Sequence, residues 1–351
     1  MMQRARVAVI GTGWWATSVH IPALLENEAA ELVALCDRDP DRLAAAAAAC
    51  SVGTTYTEVD ELIEKETLDG VVIATSHASH HSIARTCLEA GLHVMIEKPM
   101  TLFAPEAKDL VEIAARRERE LIVGYPMNFT PYARRARQVI RSGELGPVQY
   151  VNCVFCSHIL ELLRGEHDVT GPVHGPGAVY SDPALSGGGH GHLQMTHPLG
   201  LMNFVTDLAP RRIQALMREQ SPGLDLVDAM TVEFESGALA SIGGTGNLGG
   251  GGGHKHDLQV FCERGSIDID ATAGTALIHR PDSQTETLDQ VVGEEAYPRD
   301  RTSGNLVDVI LGQDTNGSPG ELGWRVVEIL DASYRSARQD GRAICVEELY
   351  S

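Results

Sequence analysis

The chain has 351 residues, with 28 Lys and Arg against 48 Asp and Glu, for a formal charge of -20 at pH 7. That length is a prior for two domains, the 43% hydrophobic content suffices for sizeable cores, and the acidic balance excludes polyanionic partners such as nucleic acid or an anionic membrane surface. The first six residues run straight into an apolar strand and no later apolar run reaches membrane-spanning length, so a soluble, cytoplasmic chain is expected.

Seven cysteines are scattered among apolar neighbours and read as reduced core thiols. Cys153 and Cys156 have C-x-x-C spacing, but strand periodicity turns them to opposite faces.

Residues 6–10 form a short apolar run of buried-strand type that ends in Gly11-Thr12-Gly13-Trp14-Trp15-Ala16, and a helical pattern follows to about residue 28. This is G-x-G-x-x-A in the setting that gives it meaning: strand, tight turn, helix. Gly11 permits the turn, Gly13 lets the backbone approach a pyrophosphate, and Ala16 lets the helix close on the strand. The helix start offers free N–H groups to phosphate oxygens. Residues 31–36 read as the second strand, with Asp37 at its end, near the spacing at which a carboxylate reaches adenosine ribose hydroxyls. Asp37 repels a 2′-phosphate and so favours NAD over NADP, while the neighbouring Arg38 either stacks on adenine or pairs with a phosphate.

Helices over 40–49 and 58–65 lead to a third buried strand at 70–75, then to Ser76-His77-Ala78-Ser79-His80-His81 and a helix over 82–90. Thr75, Ser76, His77 and His80 stand where a strand-end loop meets a cofactor, with a solvated or capping histidine as the alternative at each imidazole. Val94-Met95-Ile96 is the next apolar run and stops abruptly at Glu97-Lys98-Pro99. A lysine at the carboxyl end of a parallel strand faces the ligand crevice of an open α/β sheet, and Pro99 restricts it to extended geometry. The bland alternative is a surface ion pair after an edge strand. A helix over 105–119 and a strand at 121–124 close a doubly wound α/β domain over 1–124, leaving 125–351 for a second.

The glycine turn, Asp37, the loop with His80, Glu97-Lys98-Pro99 and the strand end at Gly124-Tyr125 together resemble the Gfo/Idh/MocA oxidoreductase family. Ser142-Gly143-Glu144-Leu145-Gly146, and Gly187-Gly188-Gly189 followed by His197, resemble its second domain. The resemblance implies an amino-terminal Rossmann domain and a carboxyl-terminal α+β domain with an open, mainly antiparallel sheet that often makes dimer or tetramer contacts. It also implies NAD(P)-linked chemistry on sugars, inositols or related polyols. The family's catalytic histidine falls on His197; four residues earlier the family commonly carries an aspartate, where this chain has Leu193.

Residues 131–141 read as a basic amphipathic helix and 148–157 as a long strand of period two. Residues 164–186 show no periodicity and form either a loop over an active site or an ordinary long connection; Arg164, His167, Asp168, His174 and Tyr180 are polar groups there that can touch a substrate. A helix starting near Gly189 sets His190, Gln194 and His197 on one face. Leucine cannot take or orient a proton, so either His197 works with Lys98 alone or Gln194 and His190 supply the missing polar contacts. Pro198 frees the Gln194 carbonyl and bends the helix. His190, His192, His197, His254 and His256 raise a metal site, but no carboxylate or thiol accompanies them at ligand spacing, and a hydrogen-bonding pocket without metal is the reading adopted. Strands are expected at 231–234, 238–244, 258–262, 266–269 and 276–279, with the glycine run 249–253 as a flexible hairpin connection. A final helix over 321–338 buries Leu322, Val326, Ile329 and Leu330 at helical spacing.

Pattern and resemblance together nominate cofactor contacts at Gly11, Thr12, Gly13, Trp14, Trp15, Asp37, Arg38, Thr75, Ser76, His77, His80, Glu97 and Lys98. Substrate contacts are expected at Lys98, Tyr125, Tyr180, His190, Gln194 and His197. The expected activity is NAD-dependent, with NADP less favoured: hydride passes between C4 of the nicotinamide and a secondary hydroxyl of a sugar, glycoside or inositol-type polyol. His197 takes the hydroxyl proton while Lys98 bonds to the same oxygen. The rival is a redox-neutral NAD-dependent glycoside hydrolase or lyase working through a transient keto-sugar, to which Leu193 lends support. A non-catalytic dinucleotide sensor needs neither Lys98 nor His197. A homodimer or homotetramer is expected, with no nucleic-acid or membrane partner.

Overall fold

Apolar runs separated by glycine-rich turns build two sheets in this computed structural model, which describes residues 4–166, 179–249 and 253–351. The first comprises β1 (Ala5–Ile10), β2 (Ala30–Cys36), β3 (Thr55–Tyr56), β4 (Gly70–Ile73), β5 (His93–Ile96) and β6 (Leu121–Val123). All neighbours are parallel, in the order β3-β2-β1-β4-β5-β6. The run at 70–75 is therefore the fourth strand; the two residues of β3 are too few to leave a periodic signal. The order reverses between β1 and β4, so a crevice opens beyond their carboxyl ends.

Side-chain alternation explains why helices cover both faces of this sheet. Ala8, Ile10, Val71, Ile73, Val94 and Ile96 enter one core, whereas Val7, Val9, Val72, Met95 and Ile122 enter another. The second core is completed from far along the chain by Leu306 and Val307 of helix Arg301–Ile310. A division at 124/125 thus assigns this helix to the second unit by sequence, although it fills the first sheet's core.

The second sheet has nine strands: β7 (Val148–Cys156), β8 (Pro210–Ser221), β9 (Leu224–Phe234), β10 (Leu239–Thr245), β11 (Lys255–Cys262), β12 (Ser266–Asp270), β13 (Thr275–His279), β14 (Thr285–Thr287) and β15 (Ile344–Cys345). Their order is β14-β13-β12-β11-β7-β10-β9-β8-β15, antiparallel except for β7 with β10. Because β7 lies between β10 and β11, the expected hairpin through the glycine run does not form; the connection passes from one side of β7 to the other. Glycines 250–252 of that run lie outside the described residues. β8 leaves little trace in the sequence because Arg211, Arg212, Gln214 and Arg218 mask the short apolar alternation of Ile213 and Ala215. Cys153 and Cys156 face opposite sides of β7, the first buried and the second half-buried, and all seven cysteines are free thiols.

Helix Gly320–Ala337 joins the two units. Its Leu322, Val326, Ile329 and Leu330 are buried, Ser336 Oγ accepts the Ala215 N–H at 2.9 Å, and Asp331 accepts the N–H of Ala104 at 3.1 Å. That last contact caps a helix, Ala104–Arg117, whose own N-cap residue, Phe103, has no side-chain oxygen to offer. Among the described residues, no helix is long and apolar enough to cross a membrane.

Candidate active site

Beyond the carboxyl end of β1, Gly11 adopts φ +91°, and a Cβ there would lie 2.5 Å from the Ala74 carbonyl oxygen. Only glycine makes this turn. A Cβ on Gly13 would meet nothing within 4 Å, so its backbone faces open space at the start of the helix, where a pyrophosphate can approach. Asp37 braces the turn: one carboxylate oxygen accepts the N–H of Thr12 at 2.8 Å and its hydroxyl at 3.0 Å, the other the N–H of Asp39 at 2.9 Å. Arg38 beside it is exposed. The donor set and the bare backbone at Gly13 fit a dinucleotide.

Glu97 and Lys98 come directly after β5. The Glu97 carboxylate accepts Trp15 Nε1–H at 3.0 Å, meets His20 Nε2 at 2.9 Å and packs on Gly124, where a Cβ would come within 2.8 Å of it. Burial opposes its charge, yet the His20 hydrogen bond and then the charges of His20 and Lys98 outweigh that and hold the carboxyl below its ordinary range. His20 carries no sequence signal, because nothing in a helix interior marks the residue that will face a strand end. Lys98 is held below the ordinary lysine range by burial, against the pull of Glu97, and its Nζ donates to the backbone carbonyl of Leu193 at 3.2 Å.

Leu193 itself is 3% exposed and packs with Ile159, Leu163 and Leu226, with Leu162 and Tyr180 against them. The position where the resembling family carries an acid is thus filled by an apolar cluster, and the contact to Lys98 comes from the main chain.

Trp14, Trp15, Thr75, His77, Glu97 and Lys98 from the first unit and Tyr180, Leu193, Gln194 and His197 from the second line one pocket of about 660 Å³. His197 stacks on Phe155 at a centroid distance of 6.3 Å and meets the Tyr297 ring edge at 6.2 Å. Burial first, then the charges of Lys98 and His256, keep its imidazole well below the ordinary value, hence neutral at pH 7. Phe155, Tyr297, His254 and His256 also line the pocket. For Phe155 and His256 a signal existed, since both are inward residues of period-two strands. Tyr297 had none. Burial pushes the Tyr180 phenol up to about 12, so it remains a donor at neutral pH.

Other nominated residues fall elsewhere. His190 is not on the pocket wall: the π-helical turn Gly191–Met195 follows it, and the extra residue of that turn shifts the helix carrying His197 out of the register that a regular helix would keep with His190. His190 Nδ1 instead meets Asp228 at 2.7 Å, both side chains fully buried. Beside them Asp225 accepts the N–H groups of Gly189 and Gly191 at 2.7 and 2.6 Å and the Tyr334 hydroxyl at 2.6 Å, fixing the start of the helix that carries His197. Tyr125 is buried behind the pocket, its hydroxyl 2.9 Å from Thr196 Oγ1. His80 is fully buried and ties the Pro99 carbonyl, at 2.8 Å, to that of Thr75, at 3.2 Å, so it braces two strand ends. Ser76 is off the pocket wall, and its hydroxyl lies 3.3 Å from that of Ser79. Arg164 is exposed and off the wall, while His167, Asp168 and His174 lie outside the described residues. Among the described residues no three His, Cys, Asp or Glu side chains converge as metal ligands.

Two family profiles match the chain. The first, oxidoreductase family with an NAD-binding Rossmann fold (Gfo/Idh/MocA), covers residues 5–125, and the second, the Gfo/Idh/MocA C-terminal domain, covers 133–268. An uncharacterized oxidoreductase, ORF334, of Rhizobium meliloti is 27% identical over 76% of this chain and 75% of its own length. A D-xylose 1-dehydrogenase (NADP(+)) of Haloferax volcanii is 25% identical over 96% of this chain and 98% of its own. Among solved structures, GenD2 from gentamicin A biosynthesis, in complex with NAD, superposes with a TM-score of 0.78 at 25% identity, covering 98% of this chain and 97% of GenD2.

Proposed function

The chain belongs to the Gfo/Idh/MocA oxidoreductase family, with an NAD-binding Rossmann domain, and from that premise we propose that it interconverts a secondary hydroxyl of a sugar, glycoside or inositol-type polyol with the corresponding ketone. The observation that carries the reading is the convergence of Lys98, from the end of β5, and His197, from the second unit, on one pocket beside the glycine turn. A bound nicotinamide dinucleotide supplies the hydride acceptor in one direction and the donor in the other. Gly11, Thr12 and Gly13 hold its phosphates, and Asp37 its adenosine ribose, with NAD preferred to NADP because a 2′-phosphate would meet a carboxylate.

His197, neutral at pH 7, takes the hydroxyl proton during oxidation and returns it during reduction. Lys98 donates a hydrogen bond to the same oxygen as negative charge develops on it, its own position set by the Leu193 carbonyl. A D-xylose dehydrogenase among the relatives supports a carbohydrate substrate. The test is NADH growth when the protein is mixed with NAD and a panel of hexoses, pentoses, inositols and glycosides. Release of an aglycone without net NADH would instead mark the redox-neutral hydrolase or lyase.

We propose also that two or four copies pair through the outer face of the nine-stranded sheet. Tyr150, Leu216, Leu239 and Phe261 are 38%, 63%, 47% and 38% exposed there. Tyr150 is in register with both Leu239 and Phe261. In a chain of charge -20 the apolar row of Tyr150, Leu239 and Phe261, with Glu233 at its edge paired to Arg211 and Arg212, suits a like surface.

A further inference from the structure

We infer that the pocket is built for a neutral sugar ring carrying an apolar or aromatic substituent, that is, an alkyl or aryl glycoside rather than a free polyol or a sugar acid. The inference rests on the hydride-transfer reading above and narrows its substrate.

The wall contributed by the second unit carries it. Ile159, Leu162 and Leu193 line the pocket side by side, and the same three pack into a cluster with Leu163, Leu226 and the Tyr180 ring. This wall is set in advance. The strand end after β7 is pinned to the end of β10 by Ser157 N–H to Thr245 O at 2.9 Å, Ile159 N–H to Gly246 O at 2.8 Å and Leu248 N–H to Ser157 O at 2.9 Å. Gly246 allows the close fit, since a Cβ there would come within 2.7 Å of Ile159 Cγ1. An apolar surface held rigid beside a reaction centre stays wetted at a cost unless part of the ligand covers it.

Charge points the same way. Among the described pocket residues the carboxylates and cations are Glu97 and Lys98 alone, both from the first unit, and Glu97 already accepts from Trp15 and meets His20. No guanidinium is present among them to pair with a sugar acid, and no second-unit carboxylate to take the paired hydroxyls of a free polyol. The second unit offers neutral groups instead. Gln194, Tyr297 and His256 face the pocket, and the buried His256 Nε2 has no hydrogen-bond partner among the described residues, which leaves it for a ligand hydroxyl. A few neutral contacts beside a leucine-isoleucine wall match one sugar ring plus one apolar group.

The test uses the full chain with NAD and the free sugar, methyl glycoside and phenyl glycoside of glucose, galactose and xylose. Initial NADH rates give KM and kcat, and calorimetry gives Kd. The expected result is a KM and Kd for the phenyl glycoside at least about tenfold below those of its methyl counterpart. In Leu162→Asn that ratio narrows, and Leu162→Met keeps it. Equal values for phenyl and methyl glycosides, as would result if the wall served only the nicotinamide, overturn the inference and leave the hydride-transfer reading intact wherever NADH forms. Preferential binding of phenyl glycosides without NADH supports the wall's role and overturns hydride transfer. No binding of any glycoside overturns the inference, and NADH formed from a free sugar would then leave the hydride-transfer reading intact.

Discussion

The Lys98 ammonium donates to the main-chain carbonyl of Leu193 across 3.2 Å, joining the end of β5 to the helix that carries His197. A backbone acceptor is indifferent to the side chain at its position, so a leucine can stand here while the lysine stays aimed. The contact also fixes one hydrogen of the ammonium and leaves the others for a substrate oxygen.

Changing Lys98 to Met removes the charge-assisted donor while keeping the length of the side chain. Turnover should fall by at least about 100-fold, in the range that positioned proton-transfer groups supply. NAD affinity, followed through the fluorescence of Trp14 and Trp15, should stay within about twofold, a change too small to count as a lost charged hydrogen bond. Wild-type turnover in Lys98→Met would exclude the assigned role.

The pH dependence is set by the form each group must take. His197 accepts a proton only when neutral, and burial with Lys98 nearby sets its titration well below 6.5. Lys98 donates only when protonated, and burial sets its loss below 10.5. Oxidation, measured as kcat/KM, should therefore be level through neutrality, with its acid limb below pH 6.5 and its alkaline limb below pH 10.5. An acid limb centred at or above pH 6.5 would contradict the environment of His197.

Leu193→Asp restores the acid of the resembling family but inserts it among Ile159, Leu163 and Leu226. The lost packing and the buried carboxyl should cost about 2–5 kcal/mol, read as a lower midpoint in denaturant unfolding. Unchanged stability would mean that the position is less apolar than its neighbours indicate.

Asp37→Ser removes the carboxylate that holds Thr12 and that we propose to repel a 2′-phosphate. The KM for NAD should rise by about 10- to 100-fold, the worth of a charged hydrogen bond, and the NADP to NAD ratio of kcat/KM should rise with it. Steady-state kinetics with both cofactors checks this, and an unchanged ratio would remove Asp37 from cofactor selection.

For the outer face of the second sheet, Leu239→Lys with Phe261→Lys places two cations on either side of Tyr150 in the proposed contact. Light scattering after gel filtration should show a smaller species than wild type at equal concentration. A wild-type chain that is already a monomer would end the proposal.

Local patterning was sufficient for much of this. Short apolar runs marked β1, β2, β4 and β5, a period-two run marked β7, the glycine turn marked the cofactor end of β1, and the stop at Glu97-Lys98-Pro99 marked a reactive strand end, because each signal lies in consecutive residues. The tertiary structure alone decided the rest. One extra residue in the turn at Gly191–Met195 rotates the succeeding helix by about 100°, which takes His197 off the face that His190 would share with it in a regular helix. The insertion of β7 between β10 and β11, the burial of Leu306 and Val307 against β4, β5 and β6, and the passage of the Leu193 carbonyl to Lys98 all join residues far apart in the chain. Such meetings are set by the packing of whole elements, and no window of neighbouring side chains records them.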